Sequence, residues 1–211
     1  MRTIMVINAK GGSGKSTIAT NLASHYAVRG EKVALVDYDP QGSSLAWLKE
    51  RPVSRPHIQA IDGSRETVRP GRGTGYMIMD APASVHGKQL NSMVRHAQTF
   101  IIPVLPSPMD MRAAVDYIKE IRATGVISSK KGKICLIANR GRDNTKVFWE
   151  LDEFLDRMRE PYVAAFSDSM HYVRAAGKGL GIFEMAPAAT AVVRAEWQPL
   201  IDWLDSKKSQ V

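Results

Sequence analysis

Short apolar runs alternate with longer stretches of helical period along the whole chain. The runs at 4–7, 33–36, 76–79, 99–104 and 134–138 are four to six residues long, rich in Ile, Val and Met, and each stops near a polar residue or a proline. Each predicts a strand. Because they are apolar throughout rather than alternating, they predict strands buried on both faces, the pattern of a parallel sheet. Helical stretches at 15–29, 43–50, 87–96, 111–124, 146–159 and 189–205 fill the gaps. This alternation predicts an α/β fold: a mostly parallel sheet with helices on both faces. The segment 51–75 carries three Pro and four Gly among scattered charges and reads as a surface excursion, with one short strand near 57–61. Neither an interdomain linker nor a repeat of 20–50 residues interrupts the pattern, so one domain spanning 1–211 is expected.

The first strand leads through Asn8 into Ala9-Lys10-Gly11-Gly12-Ser13-Gly14-Lys15-Ser16-Thr17 and then into a helix. Three glycines let successive backbone N–H groups curl around a phosphate, and the helix N-terminus adds partial positive charge. Lys15 can then neutralise terminal phosphates while Ser16 supplies an oxygen for Mg²⁺. The strict pattern wants glycine at position 9, where Ala9 stands. The additional Lys10 gives Lys-Gly-Gly-x-Gly-Lys-Ser-Thr, which resembles the deviant Walker A motif of the ParA/MinD family of dimeric P-loop ATPases, and the alanine is compatible with that variant. The resemblance implies ATP or ADP with Mg²⁺ along Lys10, Gly11, Gly12, Ser13, Gly14, Lys15, Ser16 and Thr17. It also implies that Lys15 acts on the nucleotide of its own subunit, and that Lys10 reaches across a sandwich homodimer to the other.

Three later motifs follow in that family's order. The second strand runs into Asp37-Tyr38-Asp39-Pro40-Gln41, two carboxylates at a strand's C-terminal end, where open α/β sheets place their ligands. This resembles switch I, implying that Asp39 orients or activates the attacking water and that Asp37 supports the metal. Without the resemblance, Asp39 also reads as a carboxylate at the N-terminus of the 43–50 helix. Tyr76-Met77-Ile78-Met79-Asp80-Ala81-Pro82 resembles Walker B, placing Asp80 near Ser16 and the metal, with Ala81-Pro82 opening switch II. The 99–104 strand exits through prolines toward a helix for which Asp110 reads as the N-cap. The 134–138 strand ends at Asn139, where relatives use an Asn amide to read adenine through paired donor and acceptor atoms. By itself Asn139 can also be read as a strand-end turn residue. The resemblance covers about residues 1–185 and is nearest to small ParA proteins that lack an N-terminal helix-turn-helix domain. Nothing precedes the first strand, so operator binding by such a domain is not expected.

Charge sharpens the choice of partner. With 29 Lys plus Arg against 21 Asp plus Glu, the net charge of +8 asks for DNA, RNA, an anionic lipid surface or a nucleotide. Lys119, Arg122, Lys130, Lys131, Lys133, Arg140, Arg142 and Lys146 are opposed only by Glu120 and Asp143, a local 8 − 2 = +6. A looser group comprises Arg51, Arg55, Arg65, Arg69 and Arg72. ParA relatives bind nucleoid DNA without sequence preference in the ATP dimer, through phosphate contacts. Lys130, Lys131, Lys133, Arg142, Lys146, Arg174 and Lys178 are the candidates here. MinD-like relatives instead end in a membrane-targeting helix. Val193, Trp197, Leu200, Ile201 and Leu204 do recur at helical spacing, but Arg194, Lys207 and Lys208 are balanced by Glu196, Asp202 and Asp205. That helix is therefore expected to pack on the sheet rather than on anionic lipid.

Composition excludes several classes. A 44% hydrophobic and 24% charged chain is ordinary for a folded protein. The single Cys135, inside an apolar strand, rules out a disulfide framework or a Cys-ligated metal centre within one subunit, and the five His show no metal spacing. No apolar run approaches the roughly 20 residues that span a bilayer, and no signal-peptide pattern opens the chain. The expectation is a cytoplasmic, nucleoid-associated ATP hydrolase, slow until stimulated by a ParB-like or cargo-adaptor protein, acting in plasmid or chromosome partition. Positioning of a carboxysome or chemoreceptor cluster, and MinD-like division control, are the alternatives.

Overall fold

The computed structural model describes residues 1–142 and 145–211. Seven strands, β1 Arg2–Val6, β2 Val33–Asp37, β3 Ile58–Asp62, β4 Tyr76–Asp80, β5 Thr99–Val104, β6 Lys133–Gly141 and β7 Tyr162–Ser167, form one sheet in the order β3-β2-β4-β1-β5-β6-β7. Every neighbouring pair is parallel. The helices are α1 Lys15–Val28, α2 Ser43–Lys49, α3 Gly87–Met93, α4 Pro108–Ala123, α5 Lys146–Asp156, α6 Met170–Ala176 and α7 Pro187–Asp205.

Successive side chains of a strand leave on opposite faces, and here both faces are covered. In β5, Phe100, Ile102 and Val104 meet α3, α4 and α5, whereas Ile101 meets α1 and α7. The same division separates Met5 from Ile4 and Val6 in β1. This two-sided burial is why the strands read as continuous apolar runs. Cys135 is one of these core side chains, fully buried among α1 and α7. Val193, Trp197, Leu200, Ile201 and Leu204 of α7 are all buried on the sheet, with Trp197 stacked on Phe166 at 4.5 Å. The apolar stripe of the C-terminal helix is thus core, and no described helix is long and apolar enough to cross a membrane.

Three differences from the sequence reading have physical causes. Helix α4 starts at Pro108 behind Ser107, so Asp110 lies inside the first turn and is not the N-cap; proline is pre-shaped for a first helical position. Strand β7 and helix α6 were not expected. β7 is a half-exposed edge strand with two alanines, and α6 has seven residues and buries only Ala175, so neither carries a strong periodic signal. Finally, β6 runs across the sheet for nine residues, which separates its ends by about 26 Å. The +6 group is therefore two groups, with Lys130, Lys131 and Lys133 at one end of the sheet and Arg142 and Lys146 at the other. Asp143, counted against that group, lies outside the described residues.

Candidate nucleotide site

The polypeptide between β1 and α1 is a glycine-rich turn. Gly12 and Gly14 take φ of +74° and +90°, which a Cβ would disfavour. α1 begins at Lys15 with neither a side-chain cap nor an acidic residue in its first turn. Its leading N–H groups and partial positive charge are left for an anion. The turn is braced from below: Asn8 Nδ2 donates to the Pro103 carbonyl at 2.6 Å, Asn8 Oδ1 accepts from the Lys10 N–H, and the Ser13 hydroxyl donates to the Lys10 carbonyl.

Above the C-terminal ends of the strands lies a cavity of about 600 Å³. Gly11, Gly12, Gly14, Lys15, Ser16, Thr17, Asp39 and Asn139 are on its wall. Five of its remaining lining residues were missed by sequence: Ser167, Asp168, Ser169, Tyr172 and Val173 come from the end of β7, the short connection after it and α6. The strand and helix that carry them had left no pattern to find. Lys15 reaches back to the Lys10 carbonyl at 3.0 Å; burial lowers its pKa, and Asp80 and Asp39 oppose that shift. Lys10 is half-buried, and its ammonium makes no ion pair among the described residues.

The two strand-end aspartates are register partners on β2 and β4, yet they are used differently. Asp37 is fully buried, and both its oxygens are taken: Oδ1 accepts from the Asp39 N–H, Oδ2 from the Ser44 and Leu45 N–H groups at the start of α2. It caps that helix. Asp80 is buried below the cavity wall; its Oδ2 accepts from the Ser44 hydroxyl at 2.6 Å while Oδ1, fully buried, has no hydrogen-bond partner of its own among the described residues. Burial pushes the Asp80 carboxyl up to about 6, and the Ser44 and Ser16 hydroxyls pull it back down. A buried acceptor with an unused oxygen, beside a hydroxyl and an ammonium, suits a divalent cation and its waters. The residues fit Mg²⁺, with Ser16 and Asp80 as the groups that would hold it and Asp37 acting through the helix it caps. Ser44, which sequence reasoning passed over, is the residue that joins the two. Asp39 stands at the rim, its Oδ1 accepting from the Gln41 N–H.

The basic candidates divide similarly. Arg142 pairs with Asp168 at 3.1 Å and Lys146 with Glu150 at 3.6 Å. Arg174 and Lys178, at the α6 end, are exposed, as are Lys130 and Lys131 at the opposite end of the sheet, where they border a concavity with Arg95 and His96. Lys133 is half-buried at the start of β6.

A family model described as the CobQ/CobB/MinD/ParA nucleotide binding domain matches residues 4–175. Maintenance of carboxysome distribution protein A from Gloeobacter kilaueensis is 27% identical over 212 residues, covering 97% of this chain and 94% of that one. The chromosome-partitioning ATPase Soj from Thermus thermophilus is 27% identical over 200 residues, covering 71% of this chain and 80% of that one. The structure of Cyanothece apo McdA shares the fold, with a TM-score of 0.72 at 17% identity over 97% of this chain and 99% of that one.

Proposed function

This chain belongs to the CobQ/CobB/MinD/ParA nucleotide-binding family, and we propose that within it the protein is a ParA-type, Mg²⁺-dependent ATP hydrolase, one P-loop unit over residues 1–211. Its ATP-bound form is a homodimer that holds DNA without sequence preference. The observation that carries the reading is the convergence at one cavity of an uncapped helix N-terminus, the Lys15 ammonium, the Ser16 hydroxyl and the rim carboxylate of Asp39, with the buried Asp80 carboxyl behind the wall, its Oδ1 without a partner among the described residues.

Phosphoryl transfer to water asks the protein mainly to position groups and to neutralise charge. The Gly12 to Ser16 backbone cradles the β- and γ-phosphates, and Lys15 exchanges its bond to the Lys10 carbonyl for one to phosphate. When bound with the nucleotide, magnesium supplies further neutralisation of the phosphate oxygens. Asp39 accepts a hydrogen from the attacking water and aims it in line. Lys10, without an ion pair of its own, reaches the nucleotide of the second subunit and makes dimerisation depend on ATP. Hydrolysis releases the dimer, and a ParB-like or cargo-adaptor protein sets its timing.

DNA is the acidic partner that a +8 chain with exposed, unpaired cations favours. Arg174 and Lys178 form one candidate surface, Lys130, Lys131 and Lys133 the other. The expected setting is a cytoplasmic, nucleoid-associated cycle that partitions a plasmid or chromosome. A second reading, the same engine positioning a carboxysome-like cargo, is favoured by the fuller match to the carboxysome distribution protein, 97% of this chain against 71% for Soj.

The test is filter retention of a mixed-sequence duplex. Retention should need ATP with Mg²⁺, fail with ADP, and fall steeply between about 50 and 200 mM salt. Retention that ignores nucleotide or salt would contradict the reading, and alanines at either basic set show which surface is used.

A further inference from the structure

Asn139 has a place in the fold that reading a base does not require. β6 loses its regular register between Ala138 and Gly141, and Arg140 takes a φ of +55° there. Irregularities of this kind re-aim a neighbouring side chain. The Asn139 amide is carried across to the phosphate turn, where Nδ2 donates to the Ser13 carbonyl at 2.7 Å in a buried contact. The fit is close: a Cβ on Gly14 would lie 2.2 Å from Nδ2. A carbonyl can only accept, so the bond fixes which end of the amide faces the turn. Oδ1 accepts from no described residue, and Asn139 lies on the cavity wall.

A trans peptide is planar, with its C=O and N–H pointing opposite ways. The carbonyl of Ser13 and the N–H of Gly14 belong to one peptide. Holding the first toward β6 turns the second away from it.

We propose that Asn139 is a positioning residue for the phosphate loop: by holding the Ser13 carbonyl it aims the Gly14 N–H at phosphate, and it presents only the acceptor Oδ1 to the base. The proposal rests on the reading of this cavity as the ATP site. It makes one side chain serve both ends of the nucleotide. Phosphate affinity depends on it even when no base is present, and a 6-amino purine is preferred over a 6-oxo purine because only the former offers Oδ1 a hydrogen.

The experiment is calorimetric titration of the full chain and its Asn139→Ala variant with ATP, GTP and inorganic tripolyphosphate, with urea unfolding of each protein to show that it is folded. Asn139→Ala should weaken tripolyphosphate about tenfold, weaken ATP at least as much, and narrow the preference for ATP over GTP. Where Asn139→Ala does not fold, Asn139→Ser, which keeps a short donor, replaces it with the same expected order. Tripolyphosphate affinity unchanged while ATP affinity falls would overturn the proposal and leave Asn139 as a base reader alone. Failure of the unaltered chain to bind ATP or tripolyphosphate would instead overturn the site reading, and the proposal with it.

Discussion

The Ser44 hydroxyl donates to Asp80 Oδ2 at 2.6 Å, so the first turn of α2 is tied to the end of β4 by a bond that is buried on both sides. The same helix start is capped by Asp37, and Asp39 stands on the short loop between. Asp39 and Asp80 are thus linked through the start of α2. Ser44→Ala removes the hydroxyl that Asp80 Oδ2 accepts from. It should destabilise the fold by about 1–3 kcal/mol in urea unfolding and raise the Mg²⁺ concentration needed for nucleotide binding. An unchanged Mg²⁺ requirement would separate Ser44 from the metal carboxylate.

Asp39 lies at the cavity rim and accepts only from the backbone of its own loop, so its loss leaves no buried group orphaned. Asp39→Ala should keep ATP affinity within a few-fold while cutting phosphate release by about a hundredfold. Calorimetry and a phosphate-release assay on the same preparation check both halves. A matching loss of affinity would make Asp39 a binding group instead.

His25 supplies a pH dependence remote from the site. It packs edge-on against Phe183 at 4.6 Å, its Nε2 is buried without a partner among the described residues, and burial, aided by Arg29 and opposed by Asp205, lowers its pKa to about 4. The unfolded chain binds that proton near pH 6.5, the folded chain only near 4. Stability from this residue is present above 6.5 and lost as pH falls toward 4. Between pH 7 and pH 5 the unaltered chain should lose about 1–2 kcal/mol that His25→Gln does not lose, read from urea unfolding at the two pH values. Equal losses would place His25 in contact with solvent.

Sequence revealed most where one residue type has one physical use. The glycine turn, Lys15 and the strand-end Asp80 stood out in the chain because each follows or closes an apolar run, and the sheet sets β1 and β4 side by side. What it hid depended on long-range partners. Asp37 and Asp39 look alike in the chain, yet one faces helix α2 and the other the cavity. Arg51 and Glu184, far apart in sequence, form a buried pair that anchors the loop before α7, and nothing in their surroundings marks it. The cations at 130–146 read as one patch because sequence distance is short, although a nine-residue strand carries them to opposite ends of the sheet.

If ATP joins two copies of this chain through the site built on the first glycine turn, the molar mass in solution shows it most directly. Light scattering on the Asp39→Ala variant, which should retain ATP, is predicted to give twice the mass of one chain with ATP and Mg²⁺, and the mass of one chain with ADP. Adding Lys10→Ala is predicted to hold the protein at the mass of one chain under both conditions. A mass that does not respond to ATP would rule out an ATP-joined dimer, and a doubled mass that survives Lys10→Ala would rule out Lys10 as the group that reaches across it.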